Sequence, residues 1–560
     1  MRTKTINSLL FPIIFALLLI ASLANAGTSG QHSKKDKACQ ADIYLIGVGP
    51  GDVDLITISA QKTVHKADVI VCNPQLAKQF GRLLDGKELL LTGLNSYRPR
   101  KGLAGGKSSE ADRQPGEIKK DQNRIIKTVR TAVKGGKVVA FLDYGDPMVY
   151  GNWLWCLDVF KDLNLKVEPG VCLFHAANAV LGEDISFSDI SKSIILTTND
   201  ACGERDTIDK LASNSAAMVI YCSPNNFDVV LRKLSGKYKP ETKIALVPNS
   251  TCVGKQAVIS GTIANIEEVV ATQKLAKEFL VFIGANLDLP KSNIATKPAK
   301  KKGKLYLVGL FPGNPDLATL RATNVVKGSD LIINQFDFIN AAYKHILEGK
   351  EVWAPSNKKA WTWHGYGKSA DDFSGKNLER FLASEKARQE TVSKVRQAIE
   401  KGQQVCVLDF GDPLTYAPWC WVLQEFADLA PIVIPGISSF DAANAALKKS
   451  VTQGAKTKSA ILTVPDVDDW LNKKAFDFDE MLERQTSLVI FMPDYMITLP
   501  DMVKKLSAYY DRKTPIALVV CAGFKKGEKV IKGRLDNIVD LVGRKKLPFL
   551  HLMYVGSFLE

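Results

Sequence analysis

The sequence predicts an α/β protein built twice on one plan. Three observations predict it. A short stretch occurs in two copies: Leu142-Asp143-Tyr144-Gly145-Asp146-Pro147 returns as Leu408-Asp409-Phe410-Gly411-Asp412-Pro413. The landmarks around it keep a nearly constant offset. Gly47 and Gly309 differ by 262 residues, Gly145 and Gly411 by 266, Pro169-Gly170 and Pro435-Gly436 by 266, and Tyr221 and Phe491 by 270. Such regularity over four landmarks indicates a duplication. Within each copy, β-type runs alternate with helix-like ones, the pattern of layered α/β domains.

The 560 residues exceed one ordinary core, and 46% hydrophobic with 24% charged residues is a globular balance. Residues 1–26 read as a signal peptide. Arg2 and Lys4 give a positive start, Leu9 to Leu23 form an apolar stretch, and Ala24-Asn25-Ala26 offers a small-residue cleavage site before Gly27. The stretch is shorter than the roughly 20 residues a spanning helix needs, and no other segment is long and apolar enough. The expectation is an exported protein, periplasmic or secreted, with no membrane span in the mature chain. The net charge of +15 includes lysine clusters at Lys34 to Lys37 and Lys297 to Lys304. No stacking-aromatic signature or DNA-binding motif accompanies it, so nucleic acid is not expected as a partner. An exported chain with ten cysteines can form disulfides. Yet Cys72, Cys222, Cys406 and Cys521 lie in apolar β-type runs, where cysteine behaves as a small hydrophobe. No Cys-x-x-Cys occurs and the six histidines stand singly, none at metal-ligand spacing, so no metal is expected.

Taken in order, residues 27–41 are a polar lead-in and residues 42–290 the first unit. Ile43 to Ile46 is a buried strand entering Gly47-Val48-Gly49-Pro50-Gly51-Asp52. Leu55, Ile58 and Val64 mark a helix, and Val69 to Cys72 the next strand. A polar insertion precedes an amphipathic helix with Ile118, Ile125, Val129 and Val133 at helical spacing, ended by Gly135-Gly136. The strand Lys137 to Phe141 then runs into Gly-Asp-Pro, where glycine permits close backbone approach and proline stiffens the corner. A small-residue helix spans His175 to Leu181, and strands follow at Ala217 to Cys222, Lys243 to Pro248, Gln256 to Gly261 and Phe279 to Gly284. Residues 291–303 form a proline- and lysine-rich linker. The second unit, residues 304–560, repeats the order with strands at Leu305 to Val308, Leu331 to Asn334 and Gln404 to Val407, and a helix at Phe440 to Leu447.

Together these landmarks resemble the tetrapyrrole (corrin/porphyrin) methylase family of S-adenosylmethionine-dependent enzymes. The residues that carry the likeness are Gly47 to Asp52; Gly145-Asp146-Pro147 with Tyr150-Gly151; Pro169-Gly170-Val171 with Ala176-Ala177; and, in the second unit, Gly411-Asp412-Pro413, Pro435-Gly436-Ile437-Ser438-Ser439 and Ala442-Ala443. Two such units cover nearly the whole mature chain. The resemblance implies two tandem units, each of two α/β lobes with a cofactor cleft between them. It implies S-adenosyl-L-methionine as cofactor, a tetrapyrrole-like small molecule as substrate, and a covalent pseudo-dimer, since family members commonly pair. By position, the family's cofactor contacts fall on Pro50, Gly145, Asp146, Val149, Cys172, Leu173, Cys222 and Ser250. In the second unit they fall on Pro312, Gly411, Asp412, Thr415, Ser438, Ser439, Met492 and Ala522.

Departures temper the carry-over. The second unit reads Leu310-Phe311-Pro312-Gly313-Asn314 at the glycine-rich turn, putting a bulky side chain where a glycine belongs. Where some family members carry an aspartate proposed as a base, this chain has Asn73 and Gln335, neither of which takes a proton at ordinary pH. No catalytic acid or base carries over, although methyl transfer from a sulfonium rests largely on positioning. The insertions offer Tyr97, Arg98 and Arg100 in the first unit and Trp353, Trp361, Trp363 and Tyr366 in the second. Aromatic faces and guanidinium forks of this kind suit a flat macrocycle with carboxylate arms. Three functions therefore stand: a tetrapyrrole methyltransferase with its better-preserved site in the first unit, an exported non-catalytic binding or scaffold protein, and a peptide or protein amide methyltransferase. A Rossmann dehydrogenase is disfavoured because Asp52 stands where a third glycine would be.

Overall fold

The computed structural model describes residues 42–92, 115–186, 192–198, 206–212, 216–248, 258–273, 275–284, 287, 303–311, 313–453, 457–465, 478–492, 497–543 and 547–560. The leader, the polar lead-in and all but Gly303 of the linker lie outside them, as do Tyr97, Arg98 and Arg100.

Each unit begins with a five-stranded parallel sheet. In the first the strands are β1 (Ile43–Gly47), β2 (Val69–Cys72), β3 (Glu88–Leu91), β4 (Val139–Asp143) and β5 (Leu165–Glu168), in the order β3-β2-β4-β1-β5. β1, β2 and β4 are buried along their whole length, as strands covered by helices on both faces must be. Thr57 accepts a bond from the Ala60 amide to start the Ile58–Lys66 helix, and the long Pro115–Lys134 helix packs Ile125 and Val129 on the opposite face.

The rest of the first unit supplies β6 (Ile194–Thr198), β7 (Ala217–Cys222), β8 (Lys243–Pro248), β9 (Ile259–Thr262) and β10 (Phe279–Ile283). The second unit repeats the plan. Its first sheet holds β11 (Lys304–Leu310), β12 (Leu331–Ile333), β13 (Glu351–Trp353), β14 (Gln404–Phe410) and β15 (Ile432–Ile434) in the order β13-β12-β14-β11-β15. Then come β16 (Ala460–Thr463), β17 (Ser487–Phe491), β18 (Pro515–Val520), β19 (Lys529–Arg534) and β20 (His551–Val555). The second halves of both units fuse into one ten-stranded sheet, β19-β18-β20-β17-β16-β6-β7-β10-β8-β9, which reads the same from either end under the repeat.

The seam is two-fold related. β6 and β16 pair antiparallel with Ile195 opposite Ile461, residues equivalent under the 266-residue offset. Thr57 and Thr319, equivalent under the 262-residue offset, form an antiparallel bridge, with Ile58 N donating to Ala318 O and Leu320 N to Ile56 O, both at 3.0 Å. The side chains reciprocate. Tyr150 donates from its amide to Thr452 Oγ1 (2.9 Å) and from its hydroxyl to Lys458 O (2.8 Å); Tyr416 does the same to Ser186 Oγ (2.8 Å) and Lys192 O (2.7 Å). Contacts in which i meets j and the copy of j meets the copy of i are the signature of an isologous interface.

Tyr150 and Tyr416 both hold φ of +54°, a left-handed conformation that these crossing bonds secure. Tyr150→Phe and Tyr416→Phe should each lower unfolding stability by about 1 kcal/mol, additively in the double variant. Unchanged denaturant midpoints in both single variants would contradict the crossing bonds.

Candidate functional site

The carboxyl ends of adjacent parallel strands converge on glycine. Gly47 closes β1, Gly145 follows β4 and Gly170 follows β5. A Cβ on Gly47 would stand 2.6 Å from both Gly145 O and Gly170 N, so no side chain fits there. Gly49 (φ +81°) faces Gly145 (φ +66°), each donating to the other's carbonyl, at 3.4 and 3.0 Å. Backbone packed this closely at strand ends is the usual place for ligands in parallel α/β sheets. Asp146 fastens the cradle: its carboxylate accepts from Met148 N (2.8 Å) and Gly170 N (3.1 Å).

Of the positions expected to meet cofactor in the first unit, Pro50, Gly145, Asp146, Val149, Cys172 and Cys222 are buried and Leu173 half-buried. Leu173 lies against Gly145, its amide 3.3 Å from where a Cβ would stand. Cys222 points elsewhere. Along β7 the side chains alternate, and Cys222 joins the apolar cluster on the opposite face of the sheet from Cys172, while Tyr221 faces Cys172's side. In the second unit Gly411, Asp412, Thr415, Ser438 and Ala522 are buried, and Ser439 and Met492 half-buried. Asp412 accepts from Leu414 N and Thr415 Oγ1, both at 3.1 Å. Ser250 and Pro312 lie outside the described residues.

The two units differ at the cleft. Phe311, equivalent to Gly49, is 2% exposed and packs in one cluster with Phe491 and Ala522, against Met492 and Phe524. Its ring stands edge-on to Phe524 at 6.2 Å, and a Cβ on Gly523 would lie 2.7 Å from its Cζ. A side chain from the first lobe thus occupies the second-lobe surface where family cofactor contacts were expected. The first unit has only glycine at that place.

Other expectations change. Trp353, Trp363 and Tyr366, each half-buried, pack against the core of the second unit's parallel sheet, beside Trp419 and Trp421, and brace that lobe; Trp361 stands edge-on to Trp363 at 6.2 Å. Asn73 caps the Pro74–Gln79 helix by accepting from Leu76 N (2.8 Å). Cys72, Cys222 and Cys406 are buried as anticipated, but Cys521 sits past the end of β18, half-buried at φ +47°. All seven described cysteines are thiols.

Sequence reasoning missed His175 and Asp441. They are equivalent under the 266-residue offset and lie near the starts of the Leu173–Leu181 and Ser439–Leu447 helices, fully buried, with His175 Nδ1 3.1 Å from Asp441 Oδ2. The available signal was the spacing of Cys172 and His175 together with the offset itself.

The fold and the glycine cradle define a doubled α/β protein in which glycines gather at the carboxyl ends of parallel strands. The chain belongs to the tetrapyrrole (corrin/porphyrin) methylase family, whose sequence model matches residues 42–267 and 304–539. It is 28% identical over 256 residues to the cobalt-precorrin-4 C(11)-methyltransferase of Methanocaldococcus jannaschii, covering 44% of this chain and 88% of that one. Among solved structures, a cobalt precorrin-4 methyltransferase matches with TM-score 0.37 and 22% identity, over 44% of this chain and 95% of that one. A uroporphyrin-III C-methyl transferase from Thermus thermophilus, complexed with S-adenosyl homocysteine, matches with TM-score 0.33 and 18% identity, over 43% and 91%.

Burial holds the Asp412 carboxyl at about 6, against an ordinary 3.8. Because the folded value is raised, the stability this group contributes is full below 3.8 and lost as pH rises through about 6. Asp412→Asn should therefore gain thermal stability relative to the parent between about pH 4 and about pH 7. A difference in melting temperature that stays constant across that window would contradict the buried, raised carboxyl.

Proposed function

We propose that this chain transfers a methyl group from S-adenosyl-L-methionine to a tetrapyrrole, with the first unit holding the cofactor and the tandem acting as the covalent counterpart of a homodimer. The observation that carries this reading is the contrast at equivalent positions: Gly49 in the first cleft, Phe311 in the second. Family membership supports the cofactor and substrate class, and the relative's named activity on cobalt-precorrin-4 supports a tetrapyrrole acceptor. In the first unit Gly47, Gly145 and Gly170 let the strand ends pack backbone to backbone, Gly49 adds no side chain above them, and Leu173 and Val149 would supply apolar walls. S-adenosylmethionine supplies an activated methyl, so the protein's part is to hold donor and acceptor in line and exclude water.

The test is incubation of the purified chain with methyl-labelled S-adenosylmethionine and uroporphyrinogen III, with products resolved by mass spectrometry. Label should enter the tetrapyrrole, and Leu173→Trp, which fills the cleft beside Gly145, should reduce the rate at least about tenfold, a loss of about 1.4 kcal/mol in transition-state stabilisation. Label transfer that persists unchanged in a normally folded Leu173→Trp would move the site away from the first unit. Binding of the tetrapyrrole without label transfer would favour the exported binding-protein reading.

A further inference from the structure

Duplication frees equivalent positions to diverge, and on the two-fold seam such divergence puts unlike residues face to face. Positions 175 and 441 are the clearest case. Two identical units would bring like residues together there, histidine on histidine or aspartate on aspartate. In this chain His175 meets Asp441 instead, both without solvent exposure. Cys172, one turn before His175, completes the group: one ligand atom from each of Cys172, His175 and Asp441 lies within 4.8 Å of the other two.

The surroundings are acidic and buried. Asp146, Asp412 and Asp441 are all buried, and the charge of each reaches this cluster or is felt from it. Several polar atoms here have no hydrogen-bond partner: His175 Nε2, Asp441 Oδ1 and Asp412 Oδ2. Each such atom costs about 1–3 kcal/mol when buried unmatched. The other oxygen of Asp441 is already engaged, accepting from Ser438 N at 3.1 Å in a capping box that fixes the carboxylate at its helix start. Cys172 occupies the corresponding cap position in the first unit without making a cap bond. A thiol takes the place of the hydroxyl that caps the other helix, which a local structural role would not favour.

We propose that Cys172, His175 and Asp441 form a buried site for a divalent zinc-type metal ion on the pseudo-two-fold seam, tying the two units together. Sulfur, imidazole nitrogen and carboxylate oxygen are zinc's usual donors, and tetrahedral bonds of about 2.0–2.3 Å draw such donors to within about 4 Å of one another. The three donor atoms already lie within 4.8 Å of one another, so they close to that spacing with shifts of about 1 Å or less. Tyr221 Oη, on the Cys172 side of the sheet, or a water molecule would complete four-coordination. Burial pushes the Cys172 thiol up, while the carboxylates of Asp441 and Asp412 outweigh burial and hold His175 in its charged form; metal binding would displace one proton from each. The inference is independent of methyl transfer.

The test uses the full chain, free of polyhistidine tags, from cells grown with added zinc. Elemental analysis should find about one zinc per chain, and dialysis against a strong chelator should lower the melting temperature, restored by zinc alone. Cobalt(II) loaded in zinc's place should give a thiolate-to-metal charge-transfer band, absent from Cys172→Ser. His175→Ala and Asp441→Asn should each lose the metal. Should those variants fail to fold, the chelation and cobalt measurements on the parent chain decide. A well-folded parent with less than about a tenth of an equivalent of metal, and a melting temperature indifferent to chelator and zinc, overturns the proposal. So does metal retained in all three variants.

Discussion

The structure depends on the antiparallel pairing of β6 with β16. Ile195 opposite Ile461 sets the register, and a slip of one residue would turn every buried side chain of those strands to the wrong face. Neither strand is an edge strand as a result, and the ten-stranded sheet carries one continuous apolar cluster on each face through both units. The crossing bonds of Tyr150 and Tyr416 fix each Gly-Asp-Pro corner to the opposite unit. The ligand cradle of one unit is therefore shaped partly by the other.

That dependence explains how the two clefts could diverge without losing the fold. The second unit keeps its Gly-Asp-Pro turn, its Pro-Gly turn and its capped helix, all of which hold the seam. What it has given up is Gly49's counterpart, and Phe311 there adds apolar packing where the first unit has only glycine. Burying a phenylalanine of this kind stabilises by about 1.5–3 kcal/mol relative to exposing it. On the proposed reading, a second unit that needs no open cleft gains from closing it, while the seam it shares with the first stays intact.

Much of the fold was legible in the sequence. β2, β7 and β8 stand where their apolar runs end, and the constant offset announced the repeat before any contact was known. The short strands β3 and β5 were not legible: Glu88–Leu91 is largely exposed, and Leu165–Glu168, although its apolar and charged residues alternate, is only four residues long. The family resemblance sets the tryptophans of the second insertion beside a substrate cleft; that Trp353 and Trp363 also pack on a core is visible only in the tertiary fold. His175 and Asp441 escaped notice for a similar reason. Their chemistry arises from a contact between copies 266 residues apart, and neither residue has a motif of its own. Cys222 was placed by family position alone, and the period-two alternation of β7 turns its thiol to the far face.

The central claim is that one chain carries two copies of the fold but a single open cofactor cleft. Calorimetric titration of residues 27–560 with S-adenosylhomocysteine tests it most directly, because the stoichiometry counts the clefts. The account predicts about one site per chain, lost in Leu173→Trp and unaffected by Phe311→Leu. About two equivalent sites would contradict the closure of the second cleft, and no binding by folded protein would contradict the first as a cofactor site.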